Sequence, residues 1–197
     1  MSVVIKGWET LASALEAFPA MTEHTCAFTG HRPGKLPWRY NENDPRCITL
    51  KKQLSDIVSI LTERGIVHFL SGMALGTDLW AAYAVLESRR QHPNVKLHCI
   101  LPYCGQADRW SHAYQEQYRE ILNQSDTIVR VHRDYKDGCL LERNYFMVNS
   151  ASVVVAVFDG TYRSGTGATV RYAHKLGREL MILNPITFSV THEGKKD

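Results

Sequence analysis

From Thr25 onward, short apolar runs alternate with longer segments whose apolar residues recur at helical spacing. The runs at 26–28, 67–70, 95–101, 127–131, 153–158 and 180–183 predict strands. The segments at about 48–64, 80–86, 111–123, 141–149 and up to Gly177 predict helices. Run 153–158 is nearly all β-branched, which suits a central strand buried on both faces. Before this alternation, Trp8, Leu11, Ala12, Leu15 and Phe18 fall on one helical face that stops before Pro19. The pattern therefore predicts an N-terminal helical extension over 1–24, a single domain over 25–190 and a charged, frayed tail over 191–197.

Strands alternating with helices of this length call for crossover connections and a mostly parallel sheet covered on both faces. The expected fold class is α/β, a Rossmann-like three-layer sandwich with about six strands. Such sheets take ligands outside the carboxyl ends of their strands, where the strand order reverses. The segments that follow strands are rich in Gly, Pro and aromatic or polar residues: 29–34, 71–78, 102–110 and 159–167. The turns that enter strands, 64–66, 124–126 and 177–179, are plainer. The difference marks one face as functional.

Composition changes this picture little. Apolar residues make up 44% and charged residues 22% of the chain, an ordinary globular balance. A net charge of +3 is too small to imply a nucleic-acid partner, and the one basic cluster, Arg130, His132, Arg133 and Lys136, is broken by Asp134 and Asp137. The five cysteines form no CxxC pair and read as reduced thiols; the nine histidines show no HxxxH or HExxH spacing, so no metal site is expected. No apolar stretch approaches the ~20 residues of a membrane span, and the first residues lack the apolar core of a signal peptide. A cytoplasmic protein follows by default, with no cofactor expected and a homodimer as the common form of such folds.

Two loops carry the candidate chemistry. Between a strand and a helix, Ser71, Gly72, Gly76 and Thr77 would let backbone N–H groups approach an anion, helped by the helix dipole. Ser164, Gly165 and Thr166 repeat that character ahead of another helix. Neither loop is followed by the GK[ST] of a P-loop, and neither fits GxGxxG. Asp78 stands in a first helical turn, as a dipole partner or as a contact to ribose hydroxyls. Gly30, His31 and Arg32 follow the first strand, where Arg32 could pair bidentately with phosphate. Tyr103, Arg109 and Trp110 offer aromatic faces and a cation for a base, although Trp110 also suits a helix core. Asp159 ends the buried strand and suits either ribose hydroxyls or an Asx turn before Gly160.

Thr29-Gly30-His31-Arg32-Pro33, Ser71-Gly72 with Leu75 through Ala82, Leu101-Pro102-Tyr103, and Asp159-Gly160 with Ser164-Gly165-Thr166 resemble the YpsA-like branch of the SLOG superfamily, from about Thr25 to Pro185. That superfamily is Rossmann-like and includes the cytokinin-activating phosphoribohydrolases and the DNA-processing protein DprA. The resemblance implies a nucleotide or nucleotide derivative as ligand and supplies no reaction. The phosphoribohydrolases carry PGGxGTxxE, whose Glu serves N-glycosidic cleavage; superposing Gly165-Thr166 on its GT pair puts Thr169 at the Glu position. The leading expectation is a protein that binds or senses a nucleotide, ADP-ribose-like or NAD-like or a nucleoside monophosphate. The alternative is a nucleotide N-glycosidase with Asp78 or Asp159 as its catalytic carboxylate. DNA handling by analogy with DprA is a third, associational reading, which the mild charge disfavours.

Overall fold

A computed structural model of the chain describes residues 3–4 and 22–194. Eight strands form one sheet: β1 (Val3–Val4), β2 (Thr25–Gly30), β3 (His68–Ser71), β4 (Lys96–Leu101), β5 (Thr127–Arg130), β6 (Val153–Val157), β7 (Glu179–Leu183) and β8 (Val190–Glu193). Their order is β1-β5-β4-β3-β2-β6-β7-β8, parallel throughout except for the antiparallel β7–β8 pair. The α-helices among the described residues are α1 (Pro45–Glu63), α2 (Thr77–Ser88), α3 (His112–Gln124), α4 (Cys139–Asn149) and α5 (Gly165–Lys175).

Alternation along the strands sorts side chains onto two covered faces, since successive residues of a strand point to opposite sides. Cys26, Phe28, Val153, Val155 and Val157 pack with α1, α2 and α3, while Ala27, Val154 and Ala156 pack with α4 and α5. The run Val153–Val157 is buried along its whole length because helices cover both sides of it. Helix α1 starts two residues before its first buried side chain, Cys47: Asp44 accepts from the Arg46 N–H, and Pro45 occupies the first turn. Helix α2 is buried around most of its circumference, between the sheet, α1 and α3, which explains its Ala-rich sequence.

The Rossmann-like α/β fold is as the pattern predicts, with two additional edge strands. Val190–Glu193 pairs with β7 (Leu180↔Glu193, Leu183↔Val190), so residues 191–193 are ordered sheet where the sequence predicts a frayed tail. Val3–Val4 pairs with β5 on the other edge, within the segment read as a helical extension. The predicted helix through Trp8 and Phe18 lies outside the described residues. No helix among the described residues is long and apolar enough to cross a membrane.

One feature of the topology positions the site. From β2 the chain steps outward through β3, β4 and β5, then returns to lay β6 and β7 on the other side of β2. The order thus reverses between β2 and β6, whose last residues, Gly30 and Val157, are register partners. A crevice at this point is the expected ligand position of an open parallel sheet.

Candidate functional site

A cavity of about 470 Å³ opens at that point. Gly30, His31, Arg32 and Lys35 border it after β2, Ala74 and Asp78 after β3, Arg143 and Asn144 from α4, and Ser164, Gly165 and Thr166 at the start of α5. Arg32 and Lys35 are exposed at the mouth, whereas Arg143 is only 3% exposed. The two candidate loops and the first strand end therefore converge, joined by a helix that the sequence did not single out.

The loop after β3 is held by its own side chains. The Ser71 hydroxyl donates to the Asp78 carbonyl (2.8 Å) and accepts from the Met73 N–H (3.1 Å), while the Thr77 hydroxyl donates to the His31 carbonyl (3.1 Å). Both hydroxyls face inward and border no part of the cavity. Met73 takes a left-handed conformation (φ 57°) with its side chain fully buried, a strained position the surrounding contacts must hold. Gly76 has φ +88°, and a Cβ there would sit 2.8 Å from the Pro33 ring, so only glycine lets the two loops meet. At Gly72 a Cβ would lie 1.4 Å from Nη1 of Arg143: the guanidinium fills the space the glycine leaves. Thus of this loop's predicted residues Asp78 reaches the cavity directly, and Gly72 acts by admitting Arg143.

Asp78 and Arg143 form a buried pair, Oδ2 to Nη1 3.5 Å, with the Ala74 N–H 3.3 Å from the same oxygen. Burial pushes the Asp78 carboxyl above the usual carboxylate range, against the opposing pull of Arg143, the Ala74 N–H and Arg32. Arg143 is loosely held. Its Nη1 lies 3.5 Å from the Ile100 carbonyl as well, and its buried Nε has no partner among the described residues. Buried donors are seldom left so, and a guanidinium keeps its charge under any physiological condition.

On the α5 side, Ser164 caps the helix by accepting from the Gly167 N–H (2.9 Å) and donating to the Thr161 carbonyl (2.9 Å). The helix N-terminus then presents Gly165 and Thr166 to the cavity. Thr169, one turn on, donates to the Gly165 carbonyl and accepts from the Asn144 amide, so the group there is a neutral hydroxyl whose proton is already engaged.

Asp159 lies beside the cavity, not in its wall. Its Oδ1 contacts His31 Nε2 at 2.8 Å and accepts from the Thr161 N–H at 2.9 Å, which is an Asx turn that also anchors the buried His31 ring. Burial opposes its ionisation, but the hydrogen bonds from Thr161 and His31 outweigh burial and hold its pKa down to about 2. Trp110 packs edge-on against Tyr118 (ring centroids 5.4 Å) as a half-buried core residue. Tyr103 and Arg109 border a second cavity at the ends of β4 and β5, away from Arg143. Among the described residues, no three His, Cys, Asp or Glu side chains gather as a metal site.

Residues 26–188 match the sequence model of the YspA SLOG family, YpsA. The chain belongs to this family. Among its relatives, the SPbeta prophage-derived protein YoqJ of Bacillus subtilis is 31% identical over 72% of this chain and 91% of its own length. A UPF0398 protein of Brevibacillus brevis is 32% identical over 61% and 65%, and the UPF0398 protein YpsA of B. subtilis 26% over 68% and 74%. Among solved structures, DNA processing protein A of Streptococcus pneumoniae superposes with a TM-score of 0.58 at 16% identity, covering 84% of this chain and 51% of that one. The Helicobacter pylori protein, described in a single-stranded DNA binding mode, gives 0.57 at 21% identity over 84% and 67%. At these identities the likeness shows a shared fold. The SLOG assignment read from Thr29–Pro33, Ser71-Gly72 with Leu75–Ala82, Leu101–Tyr103, and Asp159-Gly160 with Ser164–Thr166 thus stands.

Proposed function

We propose that this SLOG domain binds or senses a phosphate-bearing nucleotide or nucleotide derivative in the cavity between β2, α4 and α5. The observation that carries this reading is Arg143: a buried cation at the cavity, with both contacts at 3.5 Å and an orphaned Nε, is poised to gain an anionic partner. Arg32 and Lys35 at the mouth add charge, and the α5 N-terminus adds backbone donors. Family membership and the DprA-like fold support a nucleotide-related role.

A hydrolase has weaker support. Cleavage of an N-glycosidic bond wants a free carboxylate near the anomeric carbon. Superposing the GT pair of the phosphoribohydrolase motif on Gly165-Thr166 puts Thr169 where that motif has Glu, Asp159 is committed to His31 and Thr161, and Asp78 faces Arg143. The net charge disfavours nucleic acid, but two structural neighbours are DNA-processing proteins, one described in a single-stranded DNA binding mode, so a nucleic-acid strand stays among the candidate ligands.

Calorimetric titration with AMP, ADP-ribose and adenosine tests the proposal. Binding of the phosphate-bearing compounds, with adenosine at least tenfold weaker and no base released on long incubation, supports it. Equal affinities for AMP and adenosine, or millimolar inertness towards all of them, refutes it.

A further inference from the structure

The second cavity, about 850 Å³, is bordered by Tyr103, Arg109, Arg133 and Tyr135 among others, on the same strand-end face as the first. Tyr103 and Tyr135 meet edge to face with ring centroids 5.5 Å apart, and Tyr135 is 61% exposed, an aromatic surface that no core contact explains. Tyrosines beside arginines are the means by which proteins hold an unpaired base next to its phosphate. Each cavity alone is within the range, roughly 300–1,000 Å³, that suits a drug-sized ligand, so together they exceed what one mononucleotide fills.

The two cavities have no lining residue in common, but hydrogen bonds join the segments around them. Gln106, in the second, donates to the carbonyls of Met73 (2.8 Å) and Gly72 (3.4 Å), in the segment that backs Asp78 and Arg143 in the first. Glu142, next to Arg143 on α4, binds His132 and Lys136 and so fixes the loop that carries Tyr135. The Cys104 N–H donates to the Arg133 carbonyl and ties the two loops of the second cavity together.

We infer that the strand-end face takes a ligand of two nucleotide units joined through phosphate, one unit at Arg143 and the other between Tyr103, Tyr135 and Arg133. This rests on the nucleotide reading above. The shared chemistry, two nucleosides bridged by phosphate, has two sources: a pyrophosphate-linked dinucleotide and a 3′–5′ strand.

Calorimetry on the whole chain, wild type and Tyr135→Ala, with AMP, NAD, the dinucleotide pApA and a ten-residue oligothymidylate, tests the inference. At least one two-unit ligand should bind tenfold or more tighter than AMP, and Tyr135→Ala should abolish that difference. A gain with NAD alone identifies the pyrophosphate source; a gain with pApA and the oligomer identifies a strand. AMP binding with no gain from any longer ligand overturns the inference and leaves the nucleotide reading standing, as does a gain that survives Tyr135→Ala. If nothing binds, both fall.

Discussion

Replacing Arg143 by Met removes the cation and keeps most of the aliphatic volume, leaving the Asp78 carboxyl, 6% exposed, with no guanidinium beside it. Breaking a buried pair in this way costs roughly 3–5 kcal/mol. Here the carboxyl has an escape, because burial already raises its pKa and it can take up a proton. Neutralising a carboxyl of ordinary pKa ~3.9 costs about 1.4 kcal/mol per pH unit above that value, so the loss is capped near ~4 kcal/mol at pH 7 and ~1.5 kcal/mol at pH 5. The sign follows from linkage: the folded variant binds a proton that the unfolded chain releases, so its stability falls as pH rises through this window. Urea unfolding of wild type and Arg143→Met at both pH values measures the difference, and adding Asp78→Asn to the variant should recover ~2 kcal/mol or more at pH 7 by removing the unpaired charge. A cost below ~1 kcal/mol at pH 7, or the same cost at both pH values, would refute the view that these residues are an ionised buried pair.

Gly72→Ala should destabilise by about 1–3 kcal/mol, since its Cβ needs the space Arg143 occupies, whereas Gly165→Ala, whose Cβ meets nothing within 4 Å, should leave urea midpoints nearly unchanged. Asp159→Ala removes a charged acceptor from His31 and Thr161 and should cost ~1.5–3 kcal/mol in thermal unfolding at neutral pH. With Asp159 held at about 2, that contribution is present above about pH 4 and is lost as pH falls towards 2. His98, against His68 at 3.0 Å, is pushed down to about 4 by burial and then by its neighbour. The folded state resists a proton the unfolded chain accepts, so stability should decline as pH falls from ~6.5 towards 4, and His98→Gln should flatten that slope.

The fold was legible because its signals are local and redundant. Val153–Val157 cannot sit comfortably except between two helical layers, and glycines or prolines punctuate most strand ends. Val190–Glu193 escaped because an edge strand with all but its last residue exposed carries no apolar alternation, and Val3–Val4 is too short for any period. The site was half legible. Gly30, His31, Arg32, Asp78 and Ser164–Thr166 converge because each follows a strand, but Tyr103 and Arg109 fall in a separate cavity since β4 lies beyond β3 from β2, an order no local pattern encodes. The inward turn of the Ser71 and Thr77 hydroxyls is equally invisible in one dimension. Arg143 did leave a trace: it shares the buried stripe of Cys139, Phe146 and Met147, at i, i+4, i+7 and i+8, where a solvated arginine has no place.

On the proposed function, phosphate would enter between Arg143 and the start of α5. Amide chemical shifts of the uniformly ¹⁵N-labelled chain, followed through a titration with AMP, test it most directly. The largest changes should fall on Ala74, Gly165, Thr166 and Gly167 and saturate together, with adenosine moving them far less. Shifts concentrated instead at the N-terminal ends of the strands, or equal responses to AMP and adenosine, would contradict it.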